Sequence, residues 1–342
     1  MTAMNNFFRK METIAIVLGA CFFFTACTKS QEQVLPVQEE NKLVVYTSHK
    51  EEVYEPIIKE FEERTGIWVE LHTGGTSELL EEIAEGNGEF TCDIMFGGGI
   101  ESYSAYSDYF KPYVCSRNNS IKKQYRSKDG SYTAFTELPI VFIYNNKLVD
   151  SGQAPTGWQE LFYQSWQGNI AFGDPLKSGS SYTMLVTLIQ AMGMEEDVTL
   201  KQFARALEYK VSAGSKEAVD EVSSGAKAIG LTLEETALKA IDNGADISIV
   251  YPKDGTSTVP DGCAIVIGTK HEENAKQFIE FIVGDDVQQL AVDRLHRRSV
   301  LENLQQTGDE SLKVLNYDVE WAGAHREEIL KSWADIIAEQ GR

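Results

Sequence analysis

Apolar and polar positions follow a strand, helix, strand order from residue 43 onward. "LVVYTS" (43–48) and "WVELHT" (68–73) are short apolar runs typical of strands. Between them, four apolar residues recur at helical spacing and predict an amphipathic helix: Val53, Ile57, Ile58 and Phe61. A second helix follows through Leu79, Leu80 and Ile83, ending at Gly86, and "CDIMFGGG" (92–99) predicts a third strand. This order predicts an α/β fold with a mostly parallel sheet and helices on its faces.

The rest of the chain continues the alternation. "ELPIVFIYNNKLV" (137–149) predicts a long extended segment, and "GCAIVIGT" (262–269) predicts a strand. Further strands are expected at "NIAFGD", "AIGLT" and "DISIVYP". Helices are expected at about 157–164, 181–193, 200–210 and 233–243, and on the face formed by Ala275, Phe278, Ile279 and Ile282.

The carboxyl ends of the first three strands carry small and polar residues. In open α/β sheets, ligands bind beyond these ends. One crevice is therefore expected to collect Ser48 and His49 after the first strand, residues 74–77 after the second, and Gly97, Gly98 and Gly99 after the third.

The first residues have the pattern of an exported lipoprotein. A basic start with Arg9 and Lys10 precedes the apolar run "IAIVLGACFFFTA", which is too short to span a bilayer. We therefore expect residues 1–26 to be a signal peptide, with ordinary secretion as the alternative to lipidation. A lipidated Cys27 would anchor the protein to a membrane, and the polar residues 27–41 would form its tether.

Composition narrows the possible functions. The formal net charge of the 342 residues is −21. Such an acidic chain repels phosphate backbones and argues against nucleic-acid binding. Cys92, Cys115 and Cys263 are widely spaced and form neither a disulfide framework nor a zinc motif, although one pair could still be bridged.

Four segments together resemble one protein family: "LVVYTSHKEEVYEPIIKEFEERTGIWVEL", "ELPIVFIYNNKLV", "GDPLKSGSSYT" and "AIVIGTKHEENAKQFIEFIVG". They are similar to the extracellular solute-binding lipoproteins of bacterial ABC importers, in the branch with ferric-ion, sugar-phosphate and 2-aminoethylphosphonate binding proteins. The resemblance implies a two-lobed type II periplasmic-binding-protein-like fold, hinge strands and a ligand cleft between the lobes. It implies no cofactor, and it makes a membrane permease and an ATPase the partners of a monomeric receptor in the cell envelope, facing the periplasm or the exterior.

The same resemblance divides the chain. Lobe 1 would contain residues 42–137 and about 262–297. Lobe 2 would contain residues 138–261 and about 298–342. Closure of these lobes over a solute would deliver it to the permease.

Two hydroxyl clusters stand out from the other helix starts. Five hydroxyl residues precede a Glu or Gln by three positions and predict capping boxes: Ser48, Thr156, Thr199, Thr232 and Thr269. Such a partner is missing after Thr76 and Ser77, and after Ser178 and Ser180. Helix N-termini attract anions through unpaired N–H groups and the helix dipole. We therefore expect Gly75, Thr76 and Ser77 to face Ser178, Gly179, Ser180 and Ser181 across a bound phosphate, phosphonate or carboxylate.

The opposite end of a ligand needs other partners. His49, Glu101, Lys216, Glu234 and Tyr251 fall near predicted element ends and are candidates, with Thr232 beside them. Glu234 has an alternative role, because a carboxylate at this position also complements the N-terminus of the helix near residue 233.

Ferric iron is the alternative ligand. The iron sites of this branch resemble a histidine, a glutamate and an adjacent pair of tyrosines. His49 matches the histidine, but "FGGG" replaces the glutamate, and "GLTLEE" (230–235) contains no tyrosine. An iron site would therefore have to use His49, Glu101 and Glu234, or an anion carrier such as citrate.

Enzymatic function is disfavoured. "SIKK" (120–123) has the Ser-x-x-Lys spacing of serine acyl-transfer enzymes, but no Lys-Thr-Gly follows it. The chain also contains no Gly-x-Ser-x-Gly, His-Glu-x-x-His or Walker A motif. We therefore predict a solute receptor, most simply for a sugar phosphate or another phosphorylated or phosphonate compound, rather than a serine hydrolase.

Overall fold

A computed structural model describes residues 39–304 and 312–340. The predicted signal peptide, Cys27 and the predicted tether up to residue 38 lie outside the described residues. Within the described ranges, no helix is both long and apolar enough to cross a membrane.

The elements form two β-sheets with helices packed around them. The strands are β1 Lys42–Thr47, β2 Trp68–Thr73, β3 Ile94–Gly99, β4 Phe110–Lys111, β5 Thr133–Glu137, β6 Ile140–Asn145, β7 Ile170–Ala171, β8 Ile229–Leu233, β9 Ile247–Val250, β10 Pro260–Val266 and β11 Arg298–Ser299. The helices are α1 Glu51–Thr65, α2 Thr76–Glu85, α3 Ile100–Ala105, α4 Gly179–Met192, α5 Glu196–Ala206, α6 Ser215–Ser223, α7 Glu234–Asp242, α8 Glu272–Ile282, α9 Asp285–Leu295, α10 Val319–Ala324 and α11 Arg326–Gln340.

The first sheet has the strand order β11-β5-β10-β3-β1-β2, with β4 paired to β10. Strand β1 is parallel to both β2 and β3, as the sequence predicts. Strand β10 is antiparallel to β3 and β5, so the sheet as a whole is mixed. The α/β class is confirmed, and the parallel part holds the three strand ends expected to bind ligand.

The second sheet has the order β7-β8-β6-β9. Strand β6 is antiparallel to β8 and β9, whereas β7 and β8 are parallel. Helices α4 and α7 begin next to this sheet, directly after the loop beyond β7 and at the end of β8. Their N-termini are therefore held at one edge of the sheet.

The chain passes between the sheets at two places. Leu138 and Pro139 join β5 to β6, and residues 251–259 join β9 to β10. Strand β11 also lies in the first sheet, through the pair Arg298 and Glu137. The boundaries of the two lobes stay a prediction.

Each sheet packs its own hydrophobic core. Around the first sheet, the four α1 residues and the four α8 residues named from their helical spacing are all buried, which confirms both helix faces. Leu79, Leu80 and Ile83 of α2 are buried as well. The core of the second sheet contains Trp158 and Trp333, both at most 1 % exposed. Burial of these faces positions the helix N-termini.

The five predicted capping boxes are wrong. Helix α1 begins after Lys50 and α7 after Leu233, and neither residue makes a side-chain cap. Thr199 lies inside α5, α8 begins after His271, and Thr156 precedes a 3₁₀ helix at Trp158–Phe162 whose N-cap is Gly157. In contrast, Ser178 accepts a hydrogen bond from the Ser181 N–H and is the N-cap of α4. The Ser/Thr-x-x-Glu/Gln spacing failed because it also occurs in or just after strands, as at Ser48, Thr232 and Thr269, and inside a helix, as at Thr199.

Candidate functional site

A cavity of about 310 Å³ lies between elements of the two sheets. The first-sheet side contributes the loop after β1, the glycines of β3 and the start of α2. The second-sheet side contributes the starts of α4, α6 and α7. Of the residues predicted for the site, ten line the cavity: Ser48, His49, Gly75, Thr76, Gly98, Gly99, Ser178, Gly179, Ser180 and Lys216.

The two predicted hydroxyl clusters meet at one part of the cavity lining, which we call the mouth and define by Thr76, Ser178, Gly179 and Ser180. A Cβ atom built on Gly179 would lie 2.9 Å from Thr76 Oγ1, and one built on Gly75 would lie 3.3 Å from the Lys177 carbonyl oxygen. Such approaches leave room only for a hydrogen atom at Gly179. The starts of α2 and α4 are therefore in direct contact, one from each side of the cavity.

The glycines that end β3 make room for neighbouring side chains. Gly97 and Gly98 have positive φ values of 107° and 86°. A Cβ on Gly97 would lie 2.8 Å from Ser48 Oγ, and a Cβ on Gly98 would overlap the Thr76 side chain. Both the backbone conformation and the space therefore require glycine at Gly98.

Five helices of at least nine residues point their first turns at the cavity. The lining residues at these ends are Lys50 for α1, Thr76 for α2, Ser178 for α4, Ser215 for α6 and Glu235 for α7. Each end presents N–H groups without partners inside the helix and the positive end of the helix dipole. The first turn of α4 contains no acidic residue that would compete for a bound anion.

The serines of α4 have three different environments. Ser178 Oγ accepts from the Ser181 N–H at 3.3 Å and lies 3.0 Å from Ser180 Oγ. Ser180 lines the cavity and is not the cap. Ser181 is fully buried outside the cavity lining, where its hydroxyl has no hydrogen-bond partner among the described residues. Ser180 is thus the α4 hydroxyl with capacity for a ligand.

Three lysines add positive charge along the cavity wall. Lys177 lies 3.7 Å from Asp174, and Lys216 lies 2.7 Å from Asp220. Both lysine side chains are more than 60 % exposed. Lys50 also lines the cavity, at the start of α1. Exposed ion pairs of this kind are weak, so these lysines can reorient toward an anion in the cavity.

The floor of the cavity is formed by a buried arginine between two carboxylates. Arg297 Nη1 donates to Asp261 Oδ2 at 2.5 Å and to Thr136 Oγ1 at 2.9 Å. Arg297 Nη2 donates to Glu235 Oε2 at 3.1 Å. Asp261 belongs to β10 and Glu235 to α7, so this cluster connects the two sheets.

Charge and burial set the protonation of the floor. Burial alone would raise the pKa of Glu235, but the charges of Arg297 and Lys239 outweigh it and lower that pKa to about 2. Burial raises the pKa of Asp261 above its usual value. Its Oδ1 nevertheless accepts from both the N–H and the hydroxyl of Thr136, and acceptance from donors alone is the pattern of an ionised carboxylate.

His49 is a neutral imidazole next to this cluster. Burial, followed by the charge of Arg297, lowers the pKa of His49 well below its usual value of 6.5. Its Nε2 lies 3.2 Å from Asp261 Oδ2, although the geometry is not that of a hydrogen bond. The imidazole therefore has hydrogen-bonding capacity that its described neighbours do not use.

Several predicted ligand residues do not line the cavity. Ser77 accepts a 2.7 Å hydrogen bond from Arg326 Nη2. Glu234 is bound by both Nε and Nη2 of Arg298, at 2.8 and 2.7 Å, and by the Tyr251 hydroxyl. Thr232 is fully buried in β8, and Glu101 is fully buried in α3, where it accepts from the Thr183 hydroxyl.

These positions also separate the proposed iron ligands. His49, Glu101 and Glu234 each have different neighbours: Asp261, Thr183 and Arg298 respectively. Among residues 39–304 and 312–340, no group of three or more His, Cys, Asp or Glu side chains has the arrangement of a metal site. Cys92, Cys115 and Cys263 are free and buried.

Sequence reasoning missed the charged floor and, apart from Lys216, the wall formed by the start of α6. Arg297, Asp261 and Glu235 are far apart in the chain, and only the two crossings between the sheets bring them together. Gly214 and Ser215 were missed because α6 has only three buried apolar residues, Ala218, Val219 and Val222, and thus a weak helical pattern. The charged side chains of Arg297, Asp261 and Glu235 were the one feature of the sequence that could have indicated the floor.

Comparison with known proteins shows that this chain is similar to bacterial solute-binding proteins. The family model described as "Bacterial extracellular solute-binding protein" matches residues 95–318. The periplasmic binding protein AfuA from Actinobacillus pleuropneumoniae, solved with fructose-6-phosphate, has a TM-score of 0.79 and 21 % identity, covering 87 % of this chain and 98 % of its own. The ferric binding protein from Campylobacter jejuni has a TM-score of 0.77 and 20 % identity, covering 86 % and 99 %.

A curated relative from Serratia marcescens, described as an Fe(3+)-binding periplasmic protein, is 21 % identical over 72 % of this chain and 75 % of its own. The structural matches confirm the predicted two-lobed type II periplasmic-binding-protein fold. The names of these relatives include both a sugar phosphate and ferric iron. The arrangement of side chains in the cavity must therefore be used to choose a ligand.

Proposed function

Because this chain belongs to the bacterial extracellular solute-binding proteins, we propose that it is the receptor of an ABC importer for a sugar phosphate or another small phosphorylated or phosphonate solute. The anionic group would bind at the mouth of the cavity, between Thr76 and Ser180. A membrane permease and an ATPase would receive the solute. Lipidation of Cys27 would hold the receptor at the membrane surface.

The observation that carries this proposal is the contact between the starts of α2 and α4. Thr76 and Gly179 come from opposite sides of the cavity and approach within van der Waals distance. An anion there can accept hydrogen bonds from the Thr76 hydroxyl and from the first N–H groups of α4, whereas the Gly75 N–H at the start of α2 donates to Glu78. Lys177 and Lys216 also line this cavity. Binding of the anion and closure of the cavity would then be one event.

The same geometry favours an anion over ferric iron. A hard cation needs several anionic oxygen or nitrogen ligands around one point. Here Glu234 is occupied by Arg298, and Glu101 is buried behind Thr183, so only His49 of the three candidate ligands lines the cavity. Carriage of iron by an anion such as citrate is kept as an outcome of the test.

Thermal-shift titration tests the proposal. The purified protein is titrated with a hexose phosphate, aminoethylphosphonate, phosphoglycerate, inorganic phosphate and ferric citrate. We expect stabilisation by phosphorylated solutes, reduced in the Thr76→Ala and Ser180→Ala variants. Stabilisation by ferric salts alone, unchanged in both variants, would contradict the proposal.

A further inference from the structure

We propose that the floor of the cavity recognises a neutral, hydroxyl-bearing part of the solute and excludes a second anionic group, and that Arg297, Asp261 and Glu235 determine this specificity. The proposal rests on the proposed function, which assigns the anionic group to the mouth. It concerns what the rest of the solute must look like. An arginine in the cavity of an anion receptor would ordinarily be assigned to the anion, and the contacts of Arg297 argue otherwise.

Both terminal nitrogens of Arg297 are already engaged. Its Nη1 donates to Asp261 and Thr136, and its Nη2 donates to Glu235. Its Nε has no partner among the described residues but is buried, so a bidentate contact with a phosphate or carboxylate would have to take over at least one of the engaged terminal nitrogens. Because Asp261 and Glu235 are at most 5 % exposed, turning Arg297 away would leave two buried carboxylates without their cation, which is costly. Arg297 is thus a positioning residue, which fixes the orientation of the two carboxylates.

The floor has no surplus of positive charge. Arg297 and Lys239 carry two positive charges, and Glu235 and Asp261 carry two negative charges. Lys239 lies 2.7 Å from Glu235 Oε1 and 3.6 Å from Glu52 Oε1, so its charge is shared between two carboxylates. A second anionic group of the solute would lie against Glu235 and Asp261, whose positive partners already pair with them. Like-charge contacts of this kind strongly disfavour a partner.

The balance also argues against a solute ammonium at the floor. Glu235 is already paired with Lys239 and Arg297, and Asp261 is already paired with Arg297. An added ammonium would therefore find neither carboxylate unpaired and would lie close to the Arg297 guanidinium. The part of the solute that contacts the floor is therefore expected to be uncharged.

Hydrogen-bonding capacity at the floor suits hydroxyl groups. Each oxygen of Glu235 accepts one hydrogen bond, from Lys239 or from Arg297, although a carboxylate oxygen can accept two. His49 is neutral and has unused capacity at its ring. A solute hydroxyl group can donate a hydrogen bond to the Glu235 carboxylate, and it can either donate to or accept from the His49 imidazole. A polyhydroxylated body with one terminal phosphate therefore matches both ends of the cavity.

Calorimetric titration of the wild-type protein tests this directly. The panel is a hexose monophosphate, the corresponding hexose bisphosphate, 3-phosphoglycerate, aminoethylphosphonate and inorganic phosphate. We expect the hexose monophosphate to bind most tightly and the bisphosphate and phosphoglycerate to bind at least about 100-fold more weakly. Equal or tighter binding of either of these two would overturn the inference and leave the proposed function standing. Binding of no phosphorylated compound at all would instead refute the proposed function.

Variants locate the effect at the floor. Glu235→Gln keeps the shape and removes the charge, so it should narrow the affinity gap between the monophosphate and the bisphosphate by about 10-fold. Glu55→Gln is the matched control, because Glu55 is exposed on α1 and lies outside the cavity lining. An unchanged gap in a folded Glu235→Gln protein, checked by circular dichroism, contradicts the inference. If that variant does not fold, the wild-type panel still decides.

Discussion

Thr76 and Gly179 approach so closely that a single added methyl group on Gly179 would lie 2.9 Å from the Thr76 hydroxyl oxygen. The two residues belong to helices that start beside different sheets. Their contact is where the proposed anion site and the closure of the cavity coincide. A change at either residue should therefore affect binding more than folding.

Gly179→Ala should impair closure. The added Cβ must displace Thr76 or hold the two helix starts apart, so we expect at least about a 10-fold loss of affinity for a hexose phosphate, equivalent to about 1.4 kcal/mol. Unfolding free energy should change by less than about 1 kcal/mol, because alanine suits a helix. Gly152→Ala is the control, since a Cβ there meets open space. Equal affinities for the two variants would argue that the mouth does not close on the ligand.

Ser178→Ala and Ser180→Ala should separate folding from binding. Ser178 caps α4, so its loss should lower the unfolding free energy by about 1 kcal/mol. Ser180→Ala should leave stability nearly unchanged and weaken binding by about 10- to 150-fold, as expected for a lost hydrogen bond of about 1.5 to 3 kcal/mol to a charged group. Urea unfolding and calorimetry measure the two effects. A loss of stability in Ser180→Ala and a loss of affinity only in Ser178→Ala would show that Ser180 is structural.

Glu234→Gln should behave as a structural variant, although the sequence suggested a ligand residue. Arg298 is 8 % exposed and would lose the charge of its partner, which should lower the unfolding free energy by about 3 kcal/mol. Asp197→Asn removes an exposed pair with Lys201 and should cost less than about 1 kcal/mol. The folded Glu234→Gln protein should retain its ligand affinity. If Glu234→Gln instead lost ligand affinity while its unfolding free energy stayed unchanged, Glu234 would be a ligand-binding residue after all.

His49 should make stability depend on pH. Burial lowers its pKa, so the folded protein binds this proton more weakly than the unfolded chain does. The stability associated with neutral His49 is present above pH 6.5 and is lost as the pH falls through and below that value, by up to about 1.4 kcal/mol per pH unit. The His49→Gln variant should lack this component. Urea unfolding of both proteins at pH 7.5 and 5.5 measures it, and parallel losses in the two proteins would contradict the assignment.

Much of the first sheet could be predicted because its signals are local. The α1 face through Val53 and Phe61 and the α8 face through Phe278 were confirmed by burial. The three parallel strands followed from their order along the chain. Elements without strong apolar spacing, such as α6, gave no such signal.

The site was predicted in part, and for a partly mistaken reason. The missing capping-box partner set both Ser178 and Ser180 apart, yet Ser178 is itself the N-cap of α4, whereas Ser48 caps no helix. Most of the predicted crevice residues nevertheless line one cavity, because glycines and hydroxyls at strand and helix ends are local features. The pairing of Arg297 with Glu235 and Asp261 could not be inferred, since it depends on where the chain crosses between the sheets.

A crystal structure of the protein with a bound hexose phosphate tests the central claim most directly. The account predicts the phosphorus atom at the mouth, with phosphate oxygens accepting from Thr76, Ser180 and the first N–H groups of α4. Arg297 should remain bound to Asp261 and Glu235, with sugar hydroxyls above them. A phosphate bound to Arg297 at the floor, or a ferric ion in the cavity without an organic phosphate, would contradict the account.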